Sequence, residues 1–385
     1  MDIIYFDNSA TTRIKEEVLN EMFPYLSKEY GNPSSLYSIG RSAKRAIEEA
    51  RRRVASLINC KPEEIYFTSC GSESDNTALK GIAYSNKNKG KHIITSKIEH
   101  PAILHSCQNL ENKGFEVTYL DVDKNGFVNL QSLENSIRSD TILISIMFAN
   151  NEIGTIEPIE EIAKIAHKNG IIFHTDAVQA CGNIPIDVQK MDIDMLSLSG
   201  HKIYAPKGIG ALYVKKGIEF ERFMDGGHQE KNKRSGTENV AEIVALGKAC
   251  QIAEKNMEEY QNKLRTLRNY CLEEMKKSFS NIHINGTMEK RLPGNINVSF
   301  EGQNSTELLY QLDEMSICAS GGSACSSGDN SPSHVLTAIG LPSDLAKSAI
   351  RFTFGDFNTK DDVDYLIAAI AHLIPSTAAD IMPPA

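Results

Sequence analysis

No window of this chain approaches the roughly 18 uninterrupted apolar residues that a helix needs to cross a bilayer. The opening MDIIYFDNSATT carries no basic stretch ahead of an apolar one, so neither a membrane span nor an export signal is read there. A cytoplasmic protein, with no membrane partner, is the expectation. None of the eight cysteines forms a C-x-x-C pair, which suggests neither a zinc module nor a secreted disulfide framework. Most of them should be reduced and buried, and no metal centre is expected. Basic excess is missing too: 41 Lys and Arg face 50 Asp and Glu, a net charge of -9, and such a chain repels a nucleic-acid backbone. The run Arg51-Arg52-Arg53 beside Glu48 and Glu49 reads as the solvated face of a helix. No internal repeat is visible. No G-x-G-x-x-G follows a strand-like run, and no glycine-rich loop carries the lysine of a P-loop.

What the chain does have is ordinary globular substance. Its 385 residues are 41% hydrophobic and 24% charged, enough for one large domain and a smaller one at about 150 residues per domain. The first half alternates short apolar runs, EEIYFTS, KHIITSKIEH, TILISIMFAN, GIIFHTDAVQ and IDMLSLSGHK, with stretches of helical period. Strands alternating with helices of that length build βαβ units, so the fold class is α/β, with a mostly parallel sheet covered by helices. From about residue 240 the period stays helical for some 40 residues, predicting a long helix or a pair of them. Beyond it GNINVSFEG, a helix over 305–314, AIRFTFGDFN and a last helix over 360–374 suit a smaller α+β domain.

In open α/β sheets ligands gather at the carboxyl ends of strands, and four residues stand at two such ends: Asp176, then Ser199, His201 and Lys202. Taken singly, Asp176 and Lys202 read as loop residues in water. As a pair they suggest pyridoxal phosphate, whose ring nitrogen wants a carboxylate and whose aldehyde wants an amine. Gly71 and Ser72, between a strand and a helix, offer the backbone N-H groups a phosphate needs, although Ser72 also reads as a plain helix N-cap. His100, at another strand end, could stack on a ring or move protons, or be a structural histidine. Arg351 is a lone charge in the apolar AIRFTF; a substrate carboxylate and a structural ion pair are both open to it. Cys325 lies in the Gly- and Ser-rich GGSACSSGDNS, no core position, and is a candidate nucleophile. Only about 3% of an ordinary thiol is thiolate at neutral pH, so it would need a nearby cation or acid-base group.

Taken together, YFDNSATT, GNPSSLYSIGR, FTSCGSESDN, EHPAIL, NNEIGTIEPI, HTDAVQA, SLSGHKIYAPKGIGALYV, RSGTEN and GSACSSG resemble the cysteine desulfurases of the NifS/IscS kind. These belong to the class V aminotransferases, fold-type I enzymes dependent on pyridoxal phosphate. The likeness runs from Tyr5 to the last helix. It implies that Lys202 tethers the cofactor aldehyde, Asp176 pairs with the ring nitrogen and His100 stacks on the ring. It also implies that Gln179 and Asn151 contact ring substituents, and that Gly71, Ser72, Ser199 and His201 hold the phosphate. Thr237 would reach that phosphate from the other subunit of a homodimer, Arg351 and Asn151 would bind the substrate, and Cys325 would receive the sulfur of L-cysteine as a persulfide. The implied acceptor is an iron-sulfur scaffold or a tRNA-thiolation enzyme. The domain division expected is an N-terminal segment 1–14 packing with the small domain, a large cofactor-binding domain 15–255, a small domain 256–374 and a tail 375–385. A selenocysteine lyase, or another lyase or aminotransferase of this fold, is the alternative. One departure stands out, since relatives usually carry Gly where Cys70 stands.

Overall fold

The computed structural model describes residues 3–321 and 332–374; Cys325 and the tail 375–385 lie outside them. Twelve strands are described: β1 (Ile4–Tyr5), β2 (Ile65–Thr68), β3 (His92–Ser96), β4 (Glu116–Leu120), β5 (Thr141–Ser145), β6 (Ile172–Asp176), β7 (Met195–Ser199), β8 (Gly210–Val214), β9 (Ile282–Ile284), β10 (Asn295–Phe300), β11 (Ile317–Cys318) and β12 (Ala349–Thr353). Seven form one sheet in the order β2-β8-β7-β6-β5-β3-β4. Only β8 runs against its neighbours, so the other six point one way. The helices Gly71–Ser85, Pro101–Glu111 and Ile159–Lys168 lie in the crossovers of this mostly parallel sheet, as the alternation of periods predicts. TILISIMFAN is a strand only as far as Ser145. Its remainder leaves the sheet, with Phe148 still donating to the Asp176 carbonyl.

Side chains group into two main cores. The first gathers the inner faces of the large sheet, among them Ile94, Ile144, Phe173, Leu196 and Leu198. The second gathers Phe6 with residues between Leu264 and Ile370, around the antiparallel sheet β12-β10-β9. The N-terminal segment joins this second core because β1 pairs in parallel with β11 and because Phe6 is fully buried, edge-on to Phe352 and Phe354. Truncating such an aromatic costs about 3–5 kcal/mol. The helical stretch after residue 239 is one helix, Val240–Ser278, capped by the Asn239 side chain. Its first turns carry Ile243, Leu246 and Cys250 into the first core and its last turns carry Leu264, Cys271 and Met275 into the second. We propose a domain boundary inside this continuous helix, near residue 255.

Arg51 corrects the reading of a solvated face. It is only 4% exposed, forks onto Glu230 with N-O distances of 2.8 and 2.7 Å, and donates to the Ile65 carbonyl at 2.8 Å. Its neighbour Arg52 does face outward, paired with Glu49, while Arg53 is half-buried between Glu49 and Glu21. Helical periodicity alone could not separate them, because the partner of Arg51 lies 179 residues away in the chain. Among the described cysteines none is disulfide-bonded, and Cys107, Cys181, Cys250 and Cys271 are buried.

Candidate active site

Because six strands share a direction, their carboxyl ends deliver Thr68, Ser96, Ser145, Asp176 and Ser199 to one edge of the sheet. A cavity of about 210 Å³ opens there. Its wall includes Gly71, Ser72, His100, Asn151, Asp176, Gln179, Ser199, His201, Lys202 and Arg351, so ten of the residues singled out above meet in one place. Thr237 does not join them; it is exposed, away from the cavity of its own chain.

Lys202 closes a short turn, Gly200–Lys202, directly after β7. Its Nζ donates to the Ser9 and Ala10 carbonyls at 2.5 and 2.7 Å, so the N-terminal segment aims this amine. The backbone behind it is strained: Tyr204 is left-handed at φ 68°, held by Thr12 on its N-H and by Tyr260 and Asp356 at its hydroxyl. A bulky residue keeps such a conformation only where its surroundings over-determine it. Asp176 ends β6, 5% exposed, its Oδ1 accepting from the Val178 N-H at 2.9 Å. Burial raises its carboxyl, opposed by His100 and Lys202, so a cation arriving beside it is favoured.

His100 is the N-cap of helix Pro101–Glu111, its Nδ1 accepting from Ala102 at 3.2 Å. Burial lowers its affinity for a proton, with the Asp176 charge acting in the opposite direction. The neutral ring therefore carries its hydrogen on Nε2 and leaves that atom available. Burial also brings His201 down to about 4, with its Nδ1 beside the Thr11 hydroxyl at 3.2 Å.

At the start of helix Gly71–Ser85 the cap position is Cys70, not Ser72. Its backbone is fully extended, φ −174° and ψ 172°, which any residue adopts, so the departure from glycine costs the turn nothing. Gly71 faces Ser199 and Val178 so closely that a Cβ there would lie 2.8 Å from Val178 Cγ2. Arg351, in β12, is 1% exposed and meets Asp7 at 2.6 Å and the Asn151 carbonyl at 2.9 Å, while its Nε has no hydrogen-bond partner. The ion pair is thus present and the guanidinium still borders the cavity. Asn151 itself sits in a turn built by Asn150, whose Oδ1 accepts from the N-H groups of Glu152 and Ile153.

The model of the class V aminotransferases matches residues 4–366. The chain belongs to that family. A cysteine desulfurase IscS from Methanosarcina thermophila is 52% identical over 371 residues, 96% of this chain and 92% of the relative. Among solved structures, a NifS-like protein superposes with a TM-score of 0.91 at 38% identity, covering 96% of this chain and 99% of its own. A structure of SspA in complex with cysteine reaches 0.82 at 38% identity, over 92% of this chain and all of that one. Class V enzymes of this kind depend on pyridoxal phosphate, and the residues here fit it. Ser199 Oγ is buried without a hydrogen-bond partner, beside the N-terminus of a 15-residue helix, a ready anion site. Asp176 offers a carboxylate and Lys202 an amine.

Reading strand ends missed Asp7, the Ser9 and Ala10 carbonyls, Tyr204 and Asp75. Of these, Asp75 alone left a signal, because it stands one helical turn after Gly71 and so shares the face turned to the sheet.

Proposed function

We propose that this class V protein is a pyridoxal-phosphate-dependent cysteine desulfurase, converting L-cysteine to L-alanine and moving the sulfur to Cys325 as a persulfide. The meeting of Lys202, Asp176, His100 and Arg351 on one cavity carries this reading, and the names of its relatives support it. Asp176 holds the ring nitrogen, His100 the ring face, Gln179 and Asn151 the ring substituents, and Gly71, Ser72, Ser199 and His201 the phosphate. Pyridoxal phosphate, when bound, supplies an aldehyde for amines and a cationic ring that accepts electron density.

Arg351 binds the substrate carboxylate, as its fork geometry suits. Lys202 Nζ takes the proton from the substrate Cα, and His100 Nε2 exchanges protons with the substrate thiol and the product. Cys325 Sγ, as thiolate, bonds to the substrate sulfur while the carbon-sulfur bond breaks. The electron pair stays on carbon, which takes a proton on the way to alanine. The acceptor is a protein, an iron-sulfur scaffold or a tRNA-thiolation enzyme, and the enzyme is a homodimer in which Thr237 serves the partner's phosphate. The exposure of Thr237 supports that arrangement.

Borohydride reduction of the holoenzyme followed by peptide mapping should find a pyridoxyl adduct on Lys202. Cys325→Ser should keep that adduct and lose the persulfide. An adduct mapping elsewhere would overturn the reading of Lys202, and undiminished sulfur transfer by Cys325→Ser would overturn that of Cys325.

A further inference from the structure

Asp75 is a carboxyl group that the reaction above does not use. It lies in helix Gly71–Ser85, 1% exposed, on the wall of the cavity, and its Oδ1 has no hydrogen-bond partner. One of its oxygens, one of Asp176 and a ring nitrogen of His100 all lie within 4.8 Å of one another. Two buried carboxylates that close repel when both are ionised, and the repulsion is relieved when one of them is protonated.

We infer that Asp75 is a positioning residue for Asp176, a protonated acid whose hydrogen keeps Asp176 the ionised member of the pair and directs it at the cofactor ring nitrogen. The inference rests on the reading of Asp176 proposed above.

The groups facing Asp75 bear this out from each packed element. From β6 come Asp176 and His174. His174 is fully buried, with both ring nitrogens engaged, Nδ1 by Ser145 at 2.9 Å and Nε2 by Ser197 at 3.0 Å. Its Nε2 lies 3.9 Å from Asp75 Oδ1, yet burial takes this histidine down to about 3, so it brings no positive charge. From β7 comes the Ser197 hydroxyl, from the turn after β3 Glu99 and His100, and from the start of its own helix Cys70. Burial first, and the Asp176 charge second, raise its carboxyl well above the ordinary range. Burial raises Asp176 as well, but the Val178 N-H and Lys202 favour its charged form.

The test compares Asp75→Asn, whose amide can donate as the acid does, with Asp75→Leu, which cannot. Asp75→Asn should bind pyridoxal phosphate within about threefold of wild type, and Asp75→Leu tenfold or more weakly. The infrared difference between the wild-type and Asp75→Asn holoenzymes at neutral pH should contain the carbonyl band of a protonated carboxyl. Equal weakening in the two variants, or no such band in the difference, would overturn the inference. If Asp176→Ala binds the cofactor as wild type does, both this inference and the reading of Asp176 fall.

Discussion

Glu99 and Glu157 are almost wholly removed from water, and burial pushes both carboxyls up to about 8 from an ordinary 4.5. Between those values the folded chain holds protons that the unfolded chain releases. Stability therefore falls as pH rises through that window, by at most about 1.4 kcal/mol per pH unit for each group. Glu99→Gln has no proton to release and should melt higher than wild type at pH 8, with the gap closing toward pH 5. Thermal denaturation at several pH values measures this, and a gap independent of pH would count against it. Such groups are hard to read from a linear chain, because a glutamate reads as surface until its neighbours are known. Lys202 and Asp176 were legible because each follows an apolar run, where strand ends meet. Arg351 was half legible: its oddity in AIRFTF marked a partnered charge, but Asp7 as that partner needed the register of β12 beside the N-terminal segment.

Helix Ser38–Leu57 shows how an element depends on a distant loop. Arg51 reaches from it to Glu230, in a run where Glu230, Lys231 and Asn232 are all left-handed, φ 42°, 58° and 65°. That conformation is unfavourable for residues other than glycine, and the buried fork, together with the Phe67 N-H donating to Glu230, holds it. Arg51→Met should cost about 3–5 kcal/mol, since it strands a buried carboxylate. Arg51→Met with Glu230→Leu should recover part of that loss. Urea unfolding of the single and double variants measures the difference, and full additivity would show that the pair is uncoupled. The same loop continues to Arg234, which pairs with Glu73 at 2.9 Å, so it is tied to the start of the helix that borders the cavity. Neither tie has a local signature, whereas helices such as Ser305–Glu314 and Lys360–Leu373 were legible from their period.

At the scale of the whole molecule, two cores share one 39-residue helix, and the cavity draws Arg351 from the second and Lys202 from the first. If Thr237 serves a partner's cavity, Lys202→Ala and Thr237→Ala should each be impaired alone. Their mixture after subunit exchange should regain activity, because each mixed dimer holds one intact site. No recovery on mixing, with exchange verified by mass, would place Thr237 outside the site. The chain alone determined the α/β class, the strand ends that carry Asp176, Ser199 and Lys202, and the family motifs, since these depend on local period and residue chemistry. The tertiary structure decided that Arg51 is buried, that Asp7 faces Arg351 and that Asp75 lies beside Asp176. Those outcomes depend on which distant segments exclude water from a charge, and burial of that kind is a property of packing rather than of neighbouring letters.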